Sequence, residues 1–184
     1  IDNLEPIANW GADPAVLIVG KDSPFNTMQD LVDFAKKNPK KITFSGAGLY
    51  VGHHIAFLQF SKASSLDLTY VPHKGAVPAM KSVMGGQVMA GFNNLSDAYR
   101  NQDSIKILAL ADLQRNDEFL PSVPTFKELG VDVDDSSVNF RGIMARKGTP
   151  AGVINLLSER MPMMFDAKKT RKQMTSSGSP IRIM

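Results

Sequence analysis

Three short segments carry the residues best suited to grip an anion. They are Ser45-Gly46-Ala47-Gly48-Leu49-Tyr50-Val51-Gly52, Pro72-His73-Lys74-Gly75-Ala76 and Asn93-Asn94-Leu95-Ser96. Each follows an apolar stretch and precedes a helical pattern, so each offers the free N–H groups and positive dipole end of a helix start. Glycine lets the backbone come close to a ligand. A carboxylate needs several N–H or O–H donors and no catalyst, and the side chains of Ser45, Tyr50, Asn93 and Asn94 are candidate donors. In an open parallel sheet, such turns share the edge at the carboxyl ends of the strands, forming an anion-binding rim. The bland alternative is that Gly, Asn and Ser serve turn geometry alone. A single turn favours that alternative; three on one edge bring the two readings level.

Other chemistries fit less well. The glycines at 46, 48 and 52 are spaced one residue too widely for a dinucleotide fingerprint, and no Gly-Lys-Ser/Thr makes a P-loop. His53, His54 and His73 invite a zinc reading. Adjacent histidines on a helix point about 100° apart, however, and no carboxylate stands at metalloprotease spacing. A histidine at a helix start making one hydrogen bond is the simpler expectation, so no metal is expected. Ser45 with His53 or His54 is a conceivable nucleophile pair, but there is no GxSxG elbow. Asp134 and Asp135 read as solvated loop acids, and most of the ten methionines as core. Arg141 sits among apolar residues, where an arginine is costly unless paired. Its partner is either a ligand carboxylate, gripped by a bidentate fork, or a protein Asp or Glu.

The elements that must position these residues alternate regularly. Strands are expected at 15–19, 42–44, 66–71, 88–92 and 105–111. Helices are expected at 28–37, opened by a Thr27/Asp30 capping box, and at 53–62, 79–84, 96–100 and 125–129. This order argues for an α/β sheet rich in parallel strands and flanked by helices. A last helix over about 151–168 contains Pro162, which is expected to split or kink it. Residues 181–184 look like the start of a strand.

Composition narrows the class further. With 184 residues, 43% of them hydrophobic, the chain can bury a sizeable core. No cysteine is present, which excludes disulfides, thiolate catalysis and cysteine–zinc sites. The formal net charge of +3 is mild and basic residues come at most in pairs, so no nucleic-acid patch is expected. That field suits a small anion. No apolar run approaches a membrane span. The chain begins at Ile1 without Met or a signal peptide and is expected to be a piece of something longer.

In this order and spacing the motifs resemble one family. Leu31-Val-Asp-Phe-Ala-Lys-Lys-Asn-Pro39, Phe44-Ser-Gly-Ala-Gly-Leu-Tyr-Val-Gly-His-His54 and Thr69-Tyr-Val-Pro-His-Lys-Gly75 are similar to segments of the extracytoplasmic receptors of tripartite tricarboxylate transporters, the Bordetella uptake (Bug, TctC-like) proteins. So are Met84-Gly-Gly-Gln-Val88, Leu120-Pro-Ser-Val-Pro-Thr-Phe-Lys-Glu-Leu-Gly130 and Phe140-Arg-Gly-Ile-Met-Ala-Arg-Lys-Gly-Thr-Pro150. The resemblance implies a type II periplasmic binding-protein fold closing over a small organic acid, with membrane components of the transporter as partners. It implies a periplasmic location, no cofactor and no catalysis. Carried over by position, Ser45, Gly46, Ala47, Gly48, Lys74, Gly75, Ala76 and Asn93 fall in the second lobe's half of the cleft, with Arg141 on the hinge side. Tyr50 and Val51 enlarge the loop, which hints at a bulkier or aromatic acid. Many members carry Asp where Asn93 or Asn94 stands. The family's first Pro-Ala-Gly-rich loop is missing, so one complete lobe is expected over 21–137, with 1–20 and 138–184 as parts of the other. The effector-binding domain of a transcription regulator shares a similar fold, and an enzyme acting on a carboxylate is a further alternative.

Overall fold

The computed structural model describes residues 2–183; Ile1 and Met184, the outer ends of the first and last expected segments, lie outside the described residues. The chain divides into two compact units, Pro14–Asn139 and the pair of segments Ile1–Asp13 and Phe140–Met184.

Within Pro14–Asn139, β2 (Ala15–Gly20), β3 (Thr43–Gly46), β4 (Thr69–Pro72), β5 (Ala90–Asn94) and β6 (Ile105–Ala111) form one sheet in the order β4-β3-β5-β2-β6. The β4–β3 and β3–β5 pairs are parallel, whereas β2 runs antiparallel to both of its neighbours. The expected parallel-rich α/β sheet is therefore present, with one reversed strand. β2 enters from residue 14 and pairs in the interior of this sheet, rather than joining the segment before it.

The alternation of β2 explains why helices lie on both faces. Ala15, Leu17 and Val19 pack in one core with Phe44, Phe92 and the buried side of α1 (Met28–Lys37) and α2 (Gly52–Ser64). Val16 and Ile18 pack in another core with α3 (Ala76–Met84), α4 (Leu95–Arg100) and the edge strand β6. Neighbouring residues of a strand point to opposite faces, so a strand that is apolar at every position is one covered on both. α1 is a plain amphipathic helix. Met28, Leu31, Val32 and Ala35 are buried, and Thr27 and Asp30 form the expected reciprocal cap.

Two elements differ from the sequence reading. Residues 125–129 do not form a helix. The Phe126 N–H donates to Leu110 O at 3.0 Å and Thr125 bridges Leu110, which draws the segment to the sheet. Thr125 and Glu128 still cap each other, at 2.8 and 3.2 Å, but over a turn. In the last helical stretch Pro162 does not break the chain. α5 (Ala151–Asp166) passes through it, and the break comes at Ala167, before α6 (Lys168–Ser176). α5 buries none of its residues, so water can satisfy the carbonyl that loses its partner at Pro162.

The unit that holds the termini is thinner. β1 (Leu4–Asp13) and β7 (Asn139–Arg146) make a two-stranded sheet, and Ile181 adds a single bridge to Gly11. Trp10 stacks on Phe165 of α5, with ring centroids 4.4 Å apart. β7 is largely exposed, so Arg141 does not sit on a buried strand as the sequence implied.

Candidate functional site

β4, β3 and β5 lie side by side and parallel, so the three anion-type turns leave one edge of one sheet. From β3 the chain passes through α2 to β4 on one side. From β5 it passes through α4 toward β6 on the other. The chain thus diverges between β3 and β5, and such a divergence opens a crevice at the carboxyl ends of the strands.

The side chains proposed as donors mostly look inward. Ser45 is 1% exposed and its Oγ donates to Ala79 O of α3 at 3.0 Å. Asn93 is fully buried. Its Nδ2 donates to Ala76 O at 3.0 Å and its Oδ1 accepts from the Asn94 N–H at 2.9 Å. Both residues therefore fasten the two ends of α3's first turns to the strands beneath. Asn94 Oδ1 accepts from His53 Nε2 at 2.9 Å and from Asn139 Nδ2 at 2.6 Å.

The Gly-rich turn is likewise closed on itself. The Gly48 N–H donates to Gly46 O at 3.1 Å, the Ala47 N–H to His53 Nδ1 at 3.2 Å and the Tyr50 N–H to His54 Nδ1 at 3.1 Å. Gly46 is demanded by contact, since a Cβ there would stand 2.1 Å from the Tyr70 hydroxyl. That hydroxyl donates to Gly48 O at 2.9 Å, and burial pushes the phenol up to about 12. Gly48 and Tyr50 both have positive φ, +82° and +59°. A non-glycine residue adopts that conformation only when its surroundings hold it there.

The open donors are consequently narrower than the motif suggested. α2 and α3 start without any side-chain cap, and Gly75 takes φ +124° to turn the chain into α3. The N–H groups of Gly52 and of Ala76 and Val77 precede any intrahelical acceptor. Exposed Lys74 adds a cation one residue before Gly75. α4 is different, because the Leu95 N–H already donates to Pro14 O at 2.9 Å. Tyr50, 83% exposed, and the exposed Leu49, Val51 and Val77 give the same turns an apolar border.

Arg141 donates to Asp13 Oδ2 at 2.7 Å, and Asp13 is buried, so the guanidinium has a protein carboxylate as a partner. Asp134 is more than a solvated acid. Hydrogen bonds from Ser136 and Gln59 hold its carboxyl down at about 2, and it caps the 3-10 turn Asp135–Ser137. Among the described residues no group of His, Asp and Glu is placed to hold a metal. No helix there is long and apolar enough to cross a membrane. An open hollow of about 660 Å³ lies at the other end of the sheet, by Lys21, Asp22, Gly85 and Asp103, and includes no residue of the three turns. The histidines at the helix start make hydrogen bonds, as the simpler expectation had it; what the sequence did not name is their partners, the Ala47 and Tyr50 N–H groups.

The profile of the "Tripartite tricarboxylate transporter family receptor" matches residues 1–181. The UPF0065 protein in the gbd 5' region of Cupriavidus necator is 29% identical over 175 residues, covering 95% of this chain and 53% of that protein. The structure of the periplasmic binding protein BugD matches with a TM-score of 0.83 at 27% identity, over 97% of this chain and 60% of that one. An R. palustris protein solved with adipate has a TM-score of 0.86 at 22% identity, with 97% and 60% covered, a likeness of fold. The chain spans about half the length of the curated relatives it matches.

Proposed function

The chain belongs to the family of tripartite tricarboxylate transporter receptors, and from that premise we propose that it captures a small organic acid in the periplasm. The bound acid is handed to the membrane components of a tripartite transporter, and no bond in it is made or broken. The observation that carries this reading is the pair of uncapped helix starts, α2 and α3, after adjacent parallel strands, with exposed Lys74 one residue before the Gly75 that opens α3. Backbone N–H groups at helix starts, with a cation nearby, suit a carboxylate. The adipate held by a protein of the same fold is in keeping with this chemistry.

In this reading Lys74, Gly75, Ala76 and the start of α2 meet the acid. Ser45, Gly46, Ala47, Gly48, Asn93 and Asn94 serve beneath them, holding the turns in shape. Arg141 acts through Asp13 and not on the ligand. Tyr50, Leu49 and Val51 support an acid with an apolar or aromatic body next to its carboxylate. The test is a thermal-shift panel of mono-, di- and tricarboxylates, including benzoate, adipate, malate and citrate, on the native protein. At least one acid is expected to raise Tm in a saturable way, by linkage. Lys74→Ala is expected to reduce the shift. A flat response across the panel refutes the reading.

A further inference from the structure

We propose that the adjacent histidines His53 and His54 form a clamp that sets the shape of the Gly-rich turn, so that the start of α2 is held ready before any anion arrives. Both lie in the first turn of α2 and both take a backbone N–H of the preceding turn on Nδ1: Ala47 on His53, Tyr50 on His54. Side chains one residue apart on a helix diverge by about 100°, which spoils a shared metal but lets the pair reach two points of one loop. They grip it on either side of Gly48, where φ is +82°, and the second grip holds Tyr50 in its own left-handed conformation. The ring of His54 also meets that of Tyr50 edge-on, with centroids 5.5 Å apart.

His53 has the stronger hold. It is 2% exposed, and the proton arrangement around it follows from its neighbours. A backbone N–H can only donate, so Nδ1 facing Ala47 carries no proton and a neutral ring has its proton on Nε2. Nε2–H then donates to Asn94 Oδ1, which also receives Asn139 Nδ2, while Asn94 Nδ2 faces Asp97 Oδ2 at 3.3 Å. This circuit ties the turn after β3 to the turn after β5, across the point where the chain diverges. His53 and His54 are positioning residues, and their relevance to ligand rests on the carboxylate reading above.

The test is made on the native protein, with amide exchange and ring ¹⁵N spectra as readouts independent of ligand. In the neutral rings, both Nδ1 atoms are expected to be unprotonated, with N–H···N coupling from Ala47 and Tyr50. His53→Leu is expected to speed exchange at Ala47 about tenfold or more, as local opening grows easier. His53→Asn places an acceptor near the Nδ1 position and is expected to recover most of that protection. The dissociation constant of the tightest binder among benzoate, adipate, malate and citrate should rise about tenfold in His53→Leu and less in His53→Asn. If His53→Leu does not fold, His54→Leu is read at the Tyr50 amide. A proton on Nδ1 of His53, unchanged Ala47 exchange, or equal behaviour of the Leu and Asn variants overturns the clamp. If no acid binds the wild type, the carboxylate reading falls and the spectra still decide the clamp.

Discussion

The unit Pro14–Asn139 and the unit of Ile1–Asp13 and Phe140–Met184 differ in how far their described residues are buried. In the first, a five-stranded sheet carries an apolar core on each face, and β2 buries Ala15 through Val19 completely. In the second, two strands carry one helix pair, and Phe140, Ile143, Met144, Leu156, Met163 and Met164 stay exposed. In the first, the buried polar side chains Ser45 and Asn93 hold the start of α3, and buried His53 holds the Gly-rich turn. A buried polar group needs a partner, and a rigid frame can offer one at a fixed place. The core beneath the rim gives its turns fixed partners, whereas in the thinner unit the polar tie to a buried side chain is Arg141 to Asp13.

Truncation should expose the contrast most strongly. Phe44 is fully buried among Phe57, Phe60 and Phe92, and Phe44→Ala is expected to cost about 3–5 kcal/mol in urea unfolding. Phe140→Ala, at 63% exposure, should change stability by no more than about 0.5 kcal/mol. Equal losses would erase the distinction between the units. Gly46→Ala comes next. Its Cβ meets the Tyr70 hydroxyl, and overpacking of this kind costs about 1–3 kcal/mol. Adding Tyr70→Phe should return part of the loss; if it returns nothing, the strain lies elsewhere in the turn.

The tie in the thinner unit is expected to be weaker. Removing one partner of a fully buried ion pair costs several kcal/mol, but Arg141 is 44% exposed and water screens it, so Arg141→Met should cost about 1–2 kcal/mol. Its binding of acids should be unaltered in the same panel. A loss of binding without loss of stability would return Arg141 to the ligand. The smallest effect concerns Asp134. Its carboxyl is held down at about 2, so its contribution is present above the ordinary carboxylate range and fades as pH falls from about 4 toward 2. The stability gap between wild type and Asp134→Asn should narrow across that window. A gap that is constant with pH would mean that the Ser136 and Gln59 bonds do not favour the charged form.

Much of the frame was legible because its signals are local. Thr27 and Asp30 announced α1, and the apolar run at 15–19 announced the strand β2. The placement of three turns on one edge followed from strand–helix alternation alone. The direction of β2 was not legible, since a continuous apolar run fits either direction in a sheet interior. Nor was the fate of 125–129, where Leu110 captures the backbone from far away in sequence. In the three turns, the residue types announced polar, turn-forming segments. Whether Ser45 and Asn93 point up toward a ligand or down toward α3 depends on tertiary contacts that no spacing encodes. The same limit hid the partners of His53 and His54, which were expected to make a hydrogen bond at the helix start and do so on the backbone of the turn.

The most direct test of the receptor reading is isothermal titration of the native protein with the carboxylate panel, followed by recovery of the acid. Saturable binding at one acid per protein, weakened in Lys74→Ala and with the acid recovered unchanged, is the expected result. No heat from any member of the panel, or an acid recovered in altered form, would contradict it.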